Sequence, residues 1–195
     1  MSYKTQNFKK PEESEDYKVA SDYAIKSIEA IVENTIANGE NKIIINTNLK
    51  LGLPMENINK VAGPFVEAWA FETFKNVVDD ANNKWNLINV EAQRLNRADL
   101  LLQFRRKRKI ETTVTAEVDV KATAEDFQSS GKSPNITSFA RIRSAYIENP
   151  DYLFVILSLK HKVYSTKNDQ TGLMDGIMEV VKYNAYDIKY LSDAD

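Results

Sequence analysis

The spacing of apolar residues along the chain predicts four helices. Apolar positions recur at three- and four-residue intervals in residues 15–37, 61–80, 136–147 and 173–182. This spacing places the apolar side chains of each segment on one face, as in an amphipathic helix. Asn38-Gly39 and Asn149-Pro150 follow two of these segments and are typical helix ends.

Apolar runs and alternating positions predict the strands of a sheet. They occupy residues 85–90, 98–104, 112–123, 152–164 and 186–191, and residues 43–45 add a short buried segment. Residues 112–123 alternate and are rich in Thr and Val, which favours an extended strand. We expect residues 98–104 and 112–123 to form an antiparallel hairpin. Its turn, residues 105–109, is too charged to be buried, and residues 124–136 are expected to form a loop.

Helices and strands in this order are typical of an α/β fold with a central mixed β-sheet flanked by helices. Residues 1–14 are polar, and we expect them to form a flexible arm. The rest of the chain, residues 15–195, shows no internal repeat and is expected to form a single domain.

The composition excludes several classes of protein. The 195 residues include no cysteine and a single histidine, His161, which lies between two lysines and is expected to be exposed. A disulfide framework, a thiolate metal site, a cysteine nucleophile and most sites with two histidine ligands are therefore excluded. The sequence has neither an apolar run near the ~20 residues of a membrane helix nor a secretory signal, so we expect a cytoplasmic protein.

Charge is distributed unevenly along the chain. Lys and Arg number 26 and Asp and Glu 28, for a formal net charge of −2. Residues 94–162, however, hold 13 basic and 8 acidic residues, so the middle of the chain is basic and its flanks are acidic. This pattern gives weak support to a polyanion-binding surface, because a charge run is most often a solvated loop.

The predicted hairpin carries the residues with the most specific chemistry. Glu117, Asp119 and Lys121 share one face of a strand, because side chains alternate, and Asp99 opens the partner strand. Carboxylates can hold a hard divalent cation, which polarises a phosphoryl group, while a lysine orients the attacking water. This is what a magnesium-dependent phosphodiesterase needs. The alternative is that these charges only form the solvent face of a strand.

These residues carry a resemblance to a known superfamily. Asp99 followed by Asp119-Val120-Lys121 resembles the PD-(D/E)xK nuclease signature, with Ala98 at the position of the proline. Four segments in family order also resemble type II restriction endonucleases of the HincII/EcoRV-like branch: residues 62–67, 97–102, 118–121 and 133–138. The resemblance covers roughly residues 60–145 and implies a restriction-endonuclease-like core.

The resemblance also implies roles for single residues. Asp99 and Asp119 would bind Mg²⁺, and Lys121 would be the catalytic lysine. Glu67 matches the acidic residue of the first family helix and is a candidate for the catalytic site, with Glu72 as a rival and a solvated helix charge as the alternative.

Further candidates lie around this motif. Glu117 is a candidate ligand of a second metal ion, or a residue that supports the ligands. Candidate DNA contacts are Arg105, Arg106, Lys107, Ser130, Gly131, Lys132, Ser133, Asn135 and Arg141. Asn135 matches the position of base-reading residues, and an amide can donate to and accept from adenine; a helix N-cap is its alternative role. The run from Arg105 would contact phosphates without reading sequence, or form a solvated turn.

The resemblance implies a Mg²⁺-dependent type II restriction endonuclease that acts on double-stranded DNA. A homodimer is expected, because two-fold symmetry matches a palindromic site, and the family implies a DNA methyltransferase partner. Three alternatives stay open at this point: a repair or recombination nuclease of the same superfamily, a noncatalytic DNA-binding protein, and an acidic interaction domain.

Overall fold

In a computed structural model that describes residues 12–93, 98–106, 111–125 and 139–190, the chain folds around a six-stranded sheet. The strands are β1 (Lys42–Ile45), β2 (Leu87–Ala92), β3 (Leu100–Arg106), β4 (Thr112–Ala124), β5 (Leu153–Lys167) and β6 (Met174–Asp187). They lie in the order β1-β6-β5-β4-β3-β2. Only β4 and β5 run parallel; the other neighbouring strands of this sheet are antiparallel.

Helices cover the two faces of the sheet unequally. They are α1 (Tyr17–Ala37), α2 (Met55–Ile58), α3 (Ala62–Asp79) and α4 (Phe139–Glu148), with 3-10 turns at Asn59–Val61 and Ile188–Tyr190. α1 and α3 pack on one face, where they bury the main core of the protein. On the opposite face, Ile142 of α4 packs with Phe154 and Ile156 in a smaller cluster.

The alternation of β4 explains how one strand serves both faces. Val118 and Val120 point into the main core together with residues of α1 and α3. Asp119, between them, points to the α4 side of the sheet, since successive side chains of a strand point to opposite faces. Burial of the valine side chains favours folding by about 1.5–3 kcal/mol each, which fixes the direction in which Asp119 points.

The predicted architecture is confirmed: a mixed sheet lies between helices, as in a restriction-endonuclease-like core. α1, α3, α4 and β5 occur close to the predicted positions. The predicted hairpin is present as β3 and β4, which pair from Leu100 opposite Val118 to Arg106 opposite Thr112. The short helix α2 was not predicted, and within the described residues no helix is long and apolar enough to cross a membrane.

The prediction of a helix over residues 173–182 is wrong. This segment is part of β6, which continues to Asp187. The predicted strand over 186–191 is also mostly wrong, since only residues 186 and 187 belong to β6 and Ile188–Tyr190 form a 3-10 turn. β6 hydrogen-bonds to β5 on one side and to β1 on the other. Apolar spacing alone fits either a helix or a strand here, and pairing with strands far away in the sequence decides the outcome.

Two predictions about burial are also wrong. Residues 43–45 belong to an edge strand rather than a buried segment, and Ile44 is 59% exposed. Arg105 and Arg106 continue β3 instead of forming a turn, and Arg106 is buried because its guanidinium forms an ion pair with Asp16 at 2.6 Å. A charged residue becomes compatible with burial when a partner of opposite charge is present.

His161 is buried, whereas the sequence led us to expect it to be exposed. It lies in β5 between Lys160 and Lys162, which are exposed on the opposite face of the sheet. Nε2 of His161 lies 3.1 Å from Oδ1 of Asn59, and Nδ1 has no hydrogen-bond partner among the described residues. Burial lowers the pKa of this imidazole, so its neutral form is favoured.

The last residues of the predicted N-terminal arm contact the domain. The backbone N–H of Ser14 donates to Asp151 at 2.8 Å, and Glu13 accepts a hydrogen bond from Tyr190 at 2.8 Å. Residues 1–11 lie outside the described residues, as do Lys107 and the loop contacts predicted at Ser130, Gly131, Lys132, Ser133 and Asn135.

Candidate active site

Among the described residues, Asp119 is the most deeply buried charged group on the α4 side of the sheet. Its residue is 2% exposed. Nζ of Lys121, two residues along the same strand, forms an ion pair with Oδ1 of Asp119 at 2.7 Å. Oδ2 of Asp119 is buried and has no hydrogen-bond partner within the described residues. One oxygen of the carboxylate is therefore paired, and the other is left without a partner.

Asp99 lies at the point where the β3–β4 pairing ends. Its backbone N–H donates to the carbonyl of Val118 at 3.0 Å. Beyond the last backbone pair of β3 and β4, its side chain takes the place of a strand backbone as the acceptor, because Oδ2 accepts the backbone N–H of Val120 at 2.7 Å. These two bonds hold Asp99 to β4 on both sides of Asp119, so the predicted proximity of the two carboxyl groups is present.

The environment of Asp119 disfavours its negative charge. Burial raises its pKa to about 6, the nearby Asp99 carboxylate adds to this increase, and the ammonium of Lys121 opposes it. A carboxylate in this situation gains from any positive charge brought to its unpaired oxygen. Asp99 and Asp119 supply hard oxygen donors of the kind that a divalent cation such as Mg²⁺ prefers. The residues present therefore fit a divalent cation.

Glu117 faces the same side of the sheet as Asp119, but it is held by another residue. The hydroxyl of Tyr152 donates to Oε2 of Glu117. Tyr152 lies between Tyr146 of α4 and Phe154 of β5, with ring centroids at 5.5 and 6.3 Å. This contact was not predictable from the sequence, because Tyr152 is 35 residues away and belongs to no recognisable motif.

The remaining acidic candidates lie on α3. Glu67 is half-buried and lies one helical turn after Gly63. Its Oε1 is close to Gly63, since a Cβ atom added to this glycine would lie 3.7 Å away. Glu72 lines a polar cleft between α1 and α3, next to Trp69. Among the described residues, no third carboxylate forms a metal-binding group with Asp99 and Asp119.

The basic candidates differ in their surroundings. Arg141 is exposed on α4, one residue before the buried Ile142. Arg105 is exposed and paired with Glu111 at 2.6 Å. Arg106 points into the interior and pairs with Asp16, so we do not retain it as a DNA contact. Its partner lies 90 residues away and was not predictable from local sequence.

The sheet and its buried carboxylates have the form of a restriction-endonuclease-like nuclease core. Comparison with known proteins agrees with this class. Residues 4–195 match the family model described as type II restriction endonuclease HpaI. The type II restriction enzyme HpaI of Haemophilus parainfluenzae is 53% identical to the chain over 196 residues, which cover 100% of the chain and 76% of that relative. The chain therefore belongs to the HpaI family of type II restriction endonucleases.

Family membership confirms the endonuclease predicted from the ordered motifs. It also excludes the noncatalytic DNA-binding protein and the acidic interaction domain as descriptions of the chain. The finer assignment to a HincII/EcoRV-like branch stays a prediction.

Proposed function

We propose that this chain cuts both strands of DNA at a fixed sequence by Mg²⁺-dependent hydrolysis. In this proposal Asp99 and Asp119 hold the metal ion, and Lys121 orients the water that attacks phosphorus. The observation that carries the proposal is the unpaired, buried Oδ2 of Asp119 beside a second carboxylate. A buried carboxylate oxygen without a donor is unfavourable in a purely structural site.

When bound, Mg²⁺ would polarise the phosphoryl oxygen and lower the pKa of a coordinated water. Lys121 already has its ammonium group 2.7 Å from Asp119, so its charge lies beside the proposed metal ligands. From there it can donate a hydrogen bond to water or to a phosphate oxygen while Asp119 keeps it in place. Asp99 is held by Val120, so its second oxygen can serve the metal with little reorganisation.

Glu117 keeps both of its predicted roles as candidates. Because the hydroxyl of Tyr152 donates to it, Glu117 supports the site from the α4 side and remains a candidate ligand for a second ion. Glu67 stays a candidate from the resemblance alone, because α3 packs on the face of the sheet opposite to the one to which Asp119 points.

DNA binding is proposed to involve the basic and polar residues around this centre. Arg141 on the exposed side of α4 and Arg105 at the end of β3 are candidate phosphate contacts. Lys107, Ser130, Gly131, Lys132, Ser133 and Asn135 remain candidates for contacts to phosphates and bases. We further propose a cytoplasmic homodimer that works beside a DNA methyltransferase, as the family and the symmetry of palindromic sites suggest.

Digestion of a large sequenced DNA tests the proposal. Wild-type protein with Mg²⁺ is compared with metal-free protein and with Asp99→Asn, which keeps an oxygen that can accept the Val120 N–H. We expect discrete fragments only from the wild type with Mg²⁺. Mapping of the fragment ends would give the recognition site and the position of the cut.

Other outcomes contradict specific parts of the proposal. A smear of fragments would indicate a nuclease that recognises DNA structure rather than sequence. Equal cleavage without metal, or by Asp99→Asn, would remove the proposed metal site.

A further inference from the structure

A stripe of polar and basic residues crosses the α4 side of the sheet beyond the candidate active site. Its members are Lys121 on β4, Ser158 and Lys160 on β5, and Lys182 and Asn184 on β6. The register places Lys121 opposite Ser158, Ser158 opposite Asn184, and Lys160 opposite Lys182. We call this set the lysine stripe. It begins at the proposed catalytic lysine and runs away from it across three strands.

The lysine stripe lies on the part of this face that α4 leaves uncovered. α4 packs on the first half of β5, where Phe154 and Ile156 are buried. Further along the same face, Ser158 is half-buried and Lys160 is exposed. The other side of β5 stays apolar at these positions, since Leu157 and Leu159 belong to the main core. Within the described residues, the change from apolar to basic is therefore confined to the half of one face that α4 does not cover.

The arrangement of charge in the lysine stripe is unfavourable for the protein alone. Like charges directly opposite each other on neighbouring strands are destabilising, and their Cβ atoms lie about 4.5–5.5 Å apart. Lys182 is partly neutralised by Glu125 at 3.2 Å. Lys160 forms no ion pair with the residues that the structure describes. A polyanion laid across Lys160 and Lys182 would relieve this repulsion.

The position of the stripe suits a nucleic acid held at the active site. Asp119 lies opposite Ile156, four residues before Lys160 on β5. At about 3.3 Å per residue, Lys160 is about 13 Å along the strand from the buried carboxylate. Phosphates on one DNA strand advance about 3.4 Å each along the helix axis, so this distance corresponds to about four nucleotides.

We propose that the lysine stripe binds the phosphate backbone of double-stranded DNA on one side of the scissile phosphodiester. Lys160 and Lys182 contact phosphates, and Ser158 and Asn184 donate hydrogen bonds to the same backbone. This inference rests on the proposed function, because it takes Asp119 and Lys121 as the centre where the DNA is cut. The contacts supply affinity and position, without reading base sequence.

Equilibrium binding of a short random-sequence DNA duplex, without metal and over a range of NaCl concentrations, tests the inference. The variant is Lys160→Gln/Lys182→Gln. The matched control is Lys26→Gln/Lys75→Gln, which also removes one exposed lysine and one lysine paired with an acid, here Asp79 at 2.7 Å. Lys26 and Lys75 lie on α1 and α3, which cover the other face of the sheet.

We expect the stripe variant to bind about tenfold more weakly than wild type, while the control binds like wild type. The plot of the logarithm of the binding constant against the logarithm of salt concentration should also be less steep for the stripe variant, by the contribution of about two phosphate contacts. Equal binding of the two variants, or a wild type that does not bind the duplex, would overturn the inference. Mg²⁺-dependent cleavage is measured in parallel to separate this result from the proposed function. If wild type cleaves DNA but the variants bind equally, the inference alone fails. If wild type binds through the stripe but does not cleave, the proposed function fails.

Discussion

Two buried aspartates, Asp119 and Asp187, show how the same residue type is handled in a site and in a structural core. Each is 2% exposed. The carboxylate of Asp187, at the end of β6, accepts hydrogen bonds from the hydroxyls of Tyr17 and Ser21 at 2.7 and 2.8 Å, and from the N–H of Lys189 at 3.0 Å. Asp119 receives only the ammonium of Lys121 on one oxygen, among the described residues.

The difference separates two reasons to bury a charge. Asp187 joins α1 to β6 and to the 3-10 turn that follows, and its donors replace the water that burial removes. Asp119 is left incompletely satisfied on the face that the lysine stripe shares. An incompletely satisfied buried charge next to a lysine and a second carboxylate indicates a site rather than a structural contact.

Cleavage rates give the largest predicted contrast between the two aspartates. We expect Asp119→Asn to lower the rate at least ~1000-fold, because loss of a metal ligand forfeits several kcal/mol of transition-state stabilisation. Asp187→Asn should stay within a few-fold of wild type when both proteins are folded. Initial rates on plasmid DNA with Mg²⁺ measure both. A comparable loss in Asp187→Asn at low temperature would show that the contrast is wrong.

The free energy of unfolding should show the opposite order. We expect Asp187→Ala to lower it by about 3 kcal/mol, since two buried hydroxyls lose their acceptor and each unsatisfied group is unfavourable by about 1–3 kcal/mol. Asp119→Asn should not lower it in metal-free protein. Urea unfolding with a chelator present compares the two, and a greater destabilisation by Asp119→Asn would contradict our interpretation of Oδ2.

A smaller effect distinguishes the two arginines at the end of β3. Arg106→Met should reduce the free energy of unfolding by about 1–2 kcal/mol, because it removes the buried half of an ion pair but leaves Asp16 half-exposed and able to be hydrated. Arg105→Met should change it by no more than about 0.5 kcal/mol, since the Arg105–Glu111 pair is solvated. Equal effects on stability would argue against the burial of Arg106.

The smallest predicted effect is a pH dependence that depends on Asp119. Because its pKa in the folded protein is raised to about 6, from 3.8, protonation favours the folded state. This contribution is fully present below pH ~4 and is lost as the pH rises through ~6.

In metal-free protein, lowering the pH from 7 to 5 should therefore stabilise wild type relative to Asp119→Asn by about 1 kcal/mol. Saturating Mg²⁺ should abolish this gain, because the metal binds the ionised carboxylate. An unchanged difference between pH 7 and 5 would contradict the raised pKa.

The part of the site that the sequence predicted is the part that strand alternation determines. Asp119 and Lys121 are two residues apart on a strand whose other face is apolar, so their shared direction follows from local sequence. The pairing of β3 with β4 was predictable for the same reason, since a short charged segment joins two adjacent apolar runs. These features involve residues close together in the chain.

Features that depend on distant residues were not predictable. Asp187 obtains two of its donors from α1, 166 and 170 residues away, and Tyr152, which lies just before β5, donates to Glu117. The conformation of β6 was missed because its strand pairing, and not its apolar spacing, decides between helix and strand. Long-range partners of this kind leave no periodic signal in a single sequence.

The hydrogen bond from Val120 to the side chain of Asp99 ends the pairing of β4 with β3. Beyond this bond β4 has no strand partner on its β3 side among the described residues, so this side of its last residues is an unpaired edge. Unpaired edges can accept a strand from a second molecule, and lysine is one of the residues that discourages this. Lys121 stands at this edge, and it therefore protects the same stretch of backbone on which it is proposed to act in catalysis.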